Sequence, residues 1–388
     1  MSTGQSQSRI NALRHIMQGQ GIEGVLFASS SSFAYLLGLN KFPFQRTSQT
    51  KNQRGAPVTE ALNVPDCLLY LPLEGEGVVL TVPWRAKDLQ DCPFPVQICY
   101  LDTFEHCLQS RMKGKRIAIG ENCAPWLSTF VETLVPGCEI QNAEQFVLRL
   151  RRYKDAEEID LLQKAAQLTD RIMGQVTEAL KADVTPWEVE RLLAQLGTQG
   201  GAEDLAFSPG ALFTKAGHPS ASSILGYPKD MPLSEGTSIA FDFGYVLNGY
   251  CSDFGRSFYY GKAPQQVKEG YLALQQAQCK MINSIVPGQT NVQEMDGMVR
   301  SELYALGFGA YMTNGHNGVI GHQIGMDCHE FPWLNRSVDF VLQPNMVFCT
   351  EPKLWFPDVC FMRVEDMVLV TDTGAVSLTR YNREQFEL

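Results

Sequence analysis

The sequence predicts two domains, an α/β domain over residues 1–150 and an α+β domain over residues 151–388. Helical periodicity alternates with short apolar strands in the first part of the chain. A charge-rich segment at residues 149–158 interrupts this pattern. After it, two helices followed by an acidic strand pair occur twice, which predicts a domain with pseudo-two-fold symmetry.

The first domain is expected to contain a helix at residues 8–17, where apolar side chains recur at helical spacing. Strand-like apolar runs bounded by Gly or Pro follow at residues 24–28, 67–71, 77–82 and 116–120. Residues 42–65 are polar and are expected to form an extended loop. No cluster of catalytic side chains appears in this domain.

The second domain is expected to begin with a long helix that ends near Leu180. Thr185 is predicted to cap the next helix, because Pro186 occupies its first position and Glu188 comes three residues after the cap. Two further helices, ending near residues 285 and 306, are expected in the second copy.

Each copy ends in a predicted hairpin with two carboxylates at matched distances from its turn. Asp242 and Asp253 are equidistant from the step between residues 247 and 248, beside the Asn-Gly turn signal at 248–249. They are therefore expected opposite or nearly opposite each other on one face. Glu351 and Glu365 are equidistant from residue 358 and should also face each other.

These four carboxylates, with His322 from the His-rich segment between the hairpins, are suitable ligands for a pair of divalent cations. Like charges paired across strands destabilise a sheet unless a cation lies between them. The alternative is four unrelated carboxylates on edge strands that face solvent. That alternative leaves the matched spacing and the His-rich segment unexplained.

The composition limits the classes of function. The formal net charge of −10, without a basic tract, argues against a general nucleic-acid binder. No signal peptide and no membrane-spanning apolar run are expected. Eleven Cys without paired spacing predict a reduced, cytoplasmic protein. Four of them lie near the proposed site in sequence and are expected to be small buried apolar residues, with a thiol-ligand role as the alternative: Cys251, Cys328, Cys349 and Cys360.

Five motifs resemble those of the pita-bread fold metallopeptidases, which include methionine aminopeptidase, aminopeptidase P and prolidase, with creatinase as a metal-free relative. They are Asp-Phe-Gly at 242–244, Ser-Asp-Phe-Gly-Arg-Ser-Phe at 252–258, Gly-His-Gln-Ile-Gly-Met-Asp-Cys-His-Glu-Phe-Pro at 321–332, Thr-Glu-Pro at 350–352, and Arg-Val-Glu-Asp-Met-Val-Leu-Val-Thr at 363–371. The resemblance covers roughly residues 150–388, and residues 8–140 look like the creatinase-type N-terminal domain. It implies a curved antiparallel sheet backed by helices, with metals on the concave side.

The resemblance also implies the roles of the site residues. The metal ligands would be Asp242, Asp253, His322, Glu351 and Glu365, with Asp253 and Glu365 bridging two ions. His218 and His329 would be catalytic histidines close to the substrate. Arg363 shares a strand face with Glu365 and would either orient a carboxylate or form a structural ion pair.

The implied activity is hydrolysis of an amide or peptide bond in a small molecule or short peptide, most simply a dipeptide with Pro second. Two divalent ions (Mn, Co, Zn or Fe) would activate a water molecule, and Glu351 would accept its proton and pass it to the leaving nitrogen. A homodimer is expected, because the N-terminal domain in this family often closes the partner's site.

Three features depart from the family pattern in the region where the substrate is expected to be selected. Gly318 stands where many proline-directed members carry a His, and His316 is the nearest candidate to replace it. Gln323 replaces a small residue, and residues 217–237 form a longer stretch. Two alternatives stay open: a hydrolase of non-peptide C–N compounds (creatinase-like or ectoine-hydrolase-like) or an osmolyte lyase on the same scaffold, and a non-catalytic binding protein.

Overall fold

The computed structural model describes residues 3–42, 65–100, 103–120, 125–217, 227–313, 318–357 and 359–388. The chain divides into two compact units, Met1–Arg151 and Arg152–Leu388, one residue after the predicted domain boundary. Most of the loop predicted at 42–65 lies outside the described residues, as do His218 and His316. None of the described helices is both long and apolar enough to cross a membrane.

The first unit contains a six-stranded mixed sheet. Its strands are β1 (Gly24–Ala28), β2 (Cys67–Pro72), β3 (Val78–Thr81), β4 (Val96–Ile98), β5 (Arg116–Ile119) and β6 (Glu139–Asn142), in the order β4-β3-β2-β1-β5-β6. Its helices are α1 (Thr3–Gln20), α2 (Ser31–Leu37), α3 (Phe104–Gln109), α4 (Pro125–Leu134) and α5 (Glu144–Arg151), with a 3₁₀ helix at Pro83–Leu89.

Strand β1 lies at the centre of this sheet, antiparallel to β2 and parallel to β5. Val25, Leu26 and Phe27 are buried although they point to alternate faces. This burial on both faces explains why the strand is a continuous apolar run and was predictable from the sequence. The predicted helix at 8–17 is confirmed within α1, which extends beyond it at both ends.

The second unit repeats one order of elements twice. The first copy contains α6 (Ala156–Ala179), α7 (Pro186–Gln199), β7 (Asp204–Leu205), β8 (Gly210–Lys215), β9 (Thr237–Phe243), β10 (Tyr245–Leu247), β11 (Tyr250–Cys251) and β12 (Phe254–Tyr260). The second copy contains α8 (Gln265–Asn283), α9 (Val292–Ala305), a 3₁₀ helix at Gly309–Tyr311, β13 (Gly321–Gln323), β14 (Glu330–Leu334), β15 (Val347–Thr350), β16 (Lys353–Phe356), β17 (Cys360–Arg363), β18 (Asp366–Val370) and β19 (Ala375–Ser377). The predicted α+β class and the repeated order are confirmed.

The cap predicted for α7 is present. Thr185 accepts a hydrogen bond from the backbone N–H of Glu188, and the Glu188 side chain accepts one from the Thr185 N–H. Asp155 and Glu158 form the same capping box at α6. Two reciprocal hydrogen bonds satisfy backbone donors that a helix start otherwise leaves free, so each helix begins at a defined residue.

The helices of each copy pack on the strands of that copy. Leu168 and Ile172 of α6 belong to an apolar cluster with Phe241 and Phe243 of β9. Residues of α8 and α9 join a second cluster with Phe348 of β15. Because side chains alternate along a strand, this packing leaves the opposite faces of β9 and β15 for polar side chains.

Candidate metal centre

The first acidic hairpin places its two carboxylates on one face, but not directly opposite each other. In the pairing of β9 with β12, Asp242 lies opposite Gly255. The register of β10 with β11 is the same, so Asp253 falls opposite Gly244. Asp242 and Asp253 are therefore diagonal neighbours, the nearly opposite arrangement that the sequence predicts.

The second acidic hairpin places its two carboxylates directly opposite each other. The pairings of β15 with β18 and of β16 with β17 share one register, which sets Glu351 against Glu365. Both residues lie at the gap where the hairpin leaves a five-stranded sheet and enters a two-stranded one. The prediction that they face each other is confirmed.

A backbone contact at Gly255 joins the two hairpins. The N–H of Glu365 donates to the carbonyl oxygen of Gly255 at 2.8 Å. A Cβ atom on Gly255 would lie 2.3 Å from Cδ of Arg363 and 3.0 Å from Oε2 of Glu365. Only glycine allows this approach. The contact brings the acids of both hairpins together in one row across the strands, which consists of Asp242, Gly255, Glu365 and Glu351.

His322 lies beside this row on β13, opposite Cys349 of β15. Its Nε2 is 3.3 Å from Oδ2 of Asp253, and its Nδ1 is 2.9 Å from the carbonyl oxygen of Gln323. One potential ligand atom from each of Asp253, His322, Cys349 and Glu365 lies within 4.8 Å of all the others. All four side chains are buried, so the structure brings His322 together with acids of both hairpins.

Two cationic side chains contact the acids. Arg363 pairs with Asp242, with Glu351 at 3.4 Å and with Glu365 at 3.0 Å. Lys353 pairs with Glu351. Arg363 thus contacts three of the four carboxylates. It both forms ion pairs and can orient carboxylates, the two roles that the sequence analysis gave as alternatives. The sequence interpretation did not identify Lys353, although its position two residues after Glu351 on one strand face was a usable sign.

The electrostatics of the cluster fit bound cations. Burial, together with the Asp253 and Glu351 carboxylates, raises the pKa of Glu365 well above its usual value. Burial also raises the pKa of Asp242 to about 6, against the opposing effect of Arg363. Oδ1 of Asp253 is buried and has no hydrogen-bond partner among the described residues. The cluster has four acids and only two cationic side chains, so additional bound cations would balance its negative charge. Carboxylates together with one imidazole are typical ligands of divalent metals.

His329 lies next to His322, with their ring centroids 4.2 Å apart. Its ring stacks on Trp333 at 5.3 Å with an interplanar angle of 18°. Desolvation and the neighbouring His322 lower the pKa of His329, so its ring is neutral near pH 7 and carries one N–H donor. Unlike His322, the His329 side chain is exposed.

Two departures from the family pattern acquire a physical explanation. Gln323 is buried and paired with Phe348, on the strand face opposite His322. The expectation that Gln323 lies where substrate is selected is therefore wrong. Gly318 has φ +61°, and a Cβ atom there would lie 2.7 Å from Oδ2 of Asp296. A histidine does not fit at this position without moving Asp296, which pairs with Arg336.

We expect Gly318→His to destabilise the fold without improving cleavage of Xaa-Pro dipeptides. The left-handed backbone costs about 1–3 kcal/mol for a residue with a Cβ atom, and the contact with Asp296 adds to this cost. Urea unfolding of Gly307→His is the matched control, because Gly307 has φ +86° and nothing within 4 Å of its Cβ position. A Gly318→His variant as stable as Gly307→His and faster on Xaa-Pro dipeptides would contradict this account.

Comparison with known proteins assigns the family. Residues 160–372 match the model of metallopeptidase family M24. An uncharacterized peptidase of Staphylococcus aureus (strain MRSA252) is 31% identical over 320 residues, which are 81% of this chain and 88% of that protein. The chain belongs to metallopeptidase family M24.

Solved structures show the same fold. A prolidase from Thermococcus sibiricus matches with a TM-score of 0.83 and 23% identity, over 98% of this chain and 99% of that chain. An Xaa-Pro dipeptidase from Bacillus anthracis matches with a TM-score of 0.83 and 22% identity, over 99% and 100% of the two chains. The predicted pita-bread fold is therefore confirmed.

Proposed function

We propose that this chain is a dipeptidase that hydrolyses Xaa-Pro dipeptides with two divalent cations (Mn, Co, Zn or Fe). The ligands would be the five residues identified from the sequence: Asp242, Asp253, His322, Glu351 and Glu365. The observation that carries the proposal is the row in which Gly255 brings Asp242 and Glu365 together. The prolidase and the Xaa-Pro dipeptidase of the same fold support the choice of substrate.

Bound divalent cations would polarise a scissile carbonyl group and supply a nucleophile from water at neutral pH. Side chains of the site would carry out the proton transfers. Burial of Glu351 is outweighed by Lys353 and Arg363, which lower its pKa to about 2. Glu351 is therefore ionised, the state in which a carboxylate can accept a proton and pass it to a leaving nitrogen.

His329 would contact the substrate, since its exposed ring lies beside His322. The stack on Trp333 limits rotation of the ring, so its N–H can be held toward a developing oxyanion or leaving group. The role of His218 as a second catalytic histidine rests on the sequence motif.

We also propose that the protein is a cytoplasmic homodimer. Sedimentation of the purified protein would test the dimeric state.

A second candidate function keeps the metals and changes the substrate. Gly318 excludes the histidine that many proline-directed members carry, because its Cβ position overlaps Asp296. A hydrolase of small non-peptide C–N compounds, or an osmolyte lyase, would not require that histidine. His316 would replace it if the protein is proline-directed.

A substrate screen tests the proposal. Protein freed of metal with a chelator is reconstituted separately with Mn²⁺, Co²⁺, Zn²⁺ or Fe²⁺. It is then incubated with Xaa-Pro dipeptides, the reversed Pro-Xaa dipeptides, amidino compounds and osmolytes. We expect the reconstituted protein to release free proline from the Xaa-Pro dipeptides and to leave the other compounds intact, and we expect the metal-free protein to release no proline. Consumption of a non-peptide C–N compound, with every Xaa-Pro dipeptide left intact, would replace the peptidase proposal with the second candidate.

A further inference from the structure

Buried thiols lie close to the Asp253 carboxylate. The Cys328 thiol donates to Oδ2 of Asp253 at 3.2 Å. The Cys349 sulfur lies within 4.8 Å of ligand atoms from Asp253, His322 and Glu365. The Cys251 thiol donates instead to the carbonyl oxygen of Met326, at 3.4 Å. Cys349 is therefore the thiol grouped with both an imidazole and two carboxylates.

The strand register explains why Cys349 belongs to this group. Directly opposed residues of antiparallel strands point to the same face, and Cys349 lies opposite His322. Residues two apart on a strand also share a face, which aligns Cys349 with Glu351. On the neighbouring strand, Cys349 lies opposite Met367, two residues after Glu365. The sulfur is thus directed to the face that carries the acids.

We propose that Cys349 supplies a thiolate ligand to a cation that His322, Asp253 and Glu365 also bind. The inference rests on the proposed metal centre and adds a sulfur atom to its nitrogen and oxygen donors. The thiol proton passes to solvent when the metal–sulfur bond forms. Four donors that include a thiolate and an imidazole suit Zn²⁺ or Co²⁺ better than Mn²⁺, which prefers oxygen. This position consequently selects a borderline-soft divalent cation.

Cobalt is a direct probe, because a Co²⁺–thiolate bond gives a charge-transfer absorption band in the near ultraviolet. Chelated full-length protein is titrated with Co²⁺ and its absorption spectrum is recorded. We expect the band in the wild type and its loss in Cys349→Ser. The matched control is Cys251→Ser, which removes a buried thiol that donates a hydrogen bond to a carbonyl oxygen. This variant should keep the band.

The second measurement compares the affinities of Zn²⁺ and Mn²⁺ by competition with a chromogenic chelator. Residues that only hydrogen-bond to a ligand change metal affinity by about 10–100-fold, so removal of a ligand should have at least that effect. We expect the ratio of Zn²⁺ to Mn²⁺ affinity to fall about tenfold or more in Cys349→Ser, and to stay unchanged in Cys251→Ser.

The outcomes separate the inference from the proposed function. If wild-type protein binds Co²⁺ without the charge-transfer band, the inference is overturned and the metal centre stands. If Mn²⁺ binds and Co²⁺ and Zn²⁺ do not, the inference alone is overturned. If none of Co²⁺, Zn²⁺, Mn²⁺ and Fe²⁺ binds, the proposed metal-dependent function fails as well. A band that survives in Cys349→Ser and disappears in Cys328→Ser would show that the ligand is Cys328 and not Cys349, which overturns the inference. Should Cys349→Ser fail to fold, X-ray absorption of the wild-type Zn²⁺ protein decides, with a Zn–S distance of about 2.3 Å expected.

Discussion

Asp253→Asn should abolish hydrolysis and weaken metal binding by at least about a hundredfold, the upper range for residues that only support a ligand. Asp253 is buried, and its two oxygens differ. Oδ2 contacts His322 and Cys328, whereas Oδ1 has no hydrogen-bond partner among the described residues. In the proposed centre, this carboxylate with an unpartnered buried oxygen would bridge two cations together with Glu365. The amide of asparagine keeps the shape but removes the charge.

Metal content by atomic absorption, together with the metal-induced rise in unfolding temperature, checks this expectation. The metal-free variant should unfold cooperatively, so that loss of metal is distinguished from loss of fold. Asp160→Asn is the control, because Asp160 is an exposed carboxylate that pairs with Lys164 on α6. Full metal occupancy with near-normal turnover in Asp253→Asn would refute the assignment of this ligand.

Asp366→Asn should lower the free energy of unfolding by about 3–5 kcal/mol, the cost of breaking a buried ion pair on one side. Asp366 and Arg256 are both fully buried, and Nη2 of Arg256 is 2.9 Å from Oδ1 of Asp366. The other two nitrogens of this guanidinium group have no hydrogen-bond partner among the described residues. The substitution would therefore leave a buried cation without its counter-charge.

Urea unfolding of the metal-free protein measures this loss. Arg256→Met/Asp366→Leu is the matched double variant, and it should recover much of the stability because Arg256, the fully buried charge, is removed together with its partner. Arg383 also loses Asp366 in this variant, but its side chain is partly exposed and keeps its hydrogen bond to Gln278. An Asp366→Asn variant as stable as the wild type would contradict this account, because the substitution removes the negative partner of both Arg256 and Arg383.

The same pair predicts a dependence on acid. Burial of Asp366 is outweighed by Arg256 and Arg383, which lower its pKa below the ordinary value of 3.8. Its contribution to stability is therefore present above pH 3.8 and is lost as the pH falls through the folded-state pKa. Asp366→Asn should flatten this part of the stability profile.

The acidic hairpins were predictable because their signals are local. The pairing of Glu351 with Glu365 follows from equal spacing about one turn. For Asp242 and Asp253, the centre expected from their spacing lies one residue before the observed centre of the hairpin. Asn248 and Gly249 have φ of 50° and 81°, so the two-residue turn is centred between them and moves Asp253 opposite Gly244.

The rest of the site depends on contacts between segments far apart in the sequence. The bridge between Gly255 and Glu365 joins two hairpins, and no periodicity specifies which residues of each will meet. The obstacle at Gly318 arises from Asp296 on a different element. The place of Cys349 beside His322 depends on the register of β13 with β15. Such registers are set by tertiary packing, which propensity and spacing do not encode.

The shared register of the second hairpin restricts where the chain can gain or lose length. One residue inserted between Val347 and Glu351 would turn the following side chains to the opposite face and remove the carboxylate from the site. The ladder of β16 with β17 ends at the pair of Phe356 and Cys360, so the number of residues between these two is uncoupled from the register. Insertions and deletions during divergence should therefore collect at this tip. It is also the place to graft a foreign loop when the aim is to keep the acids of the site aligned.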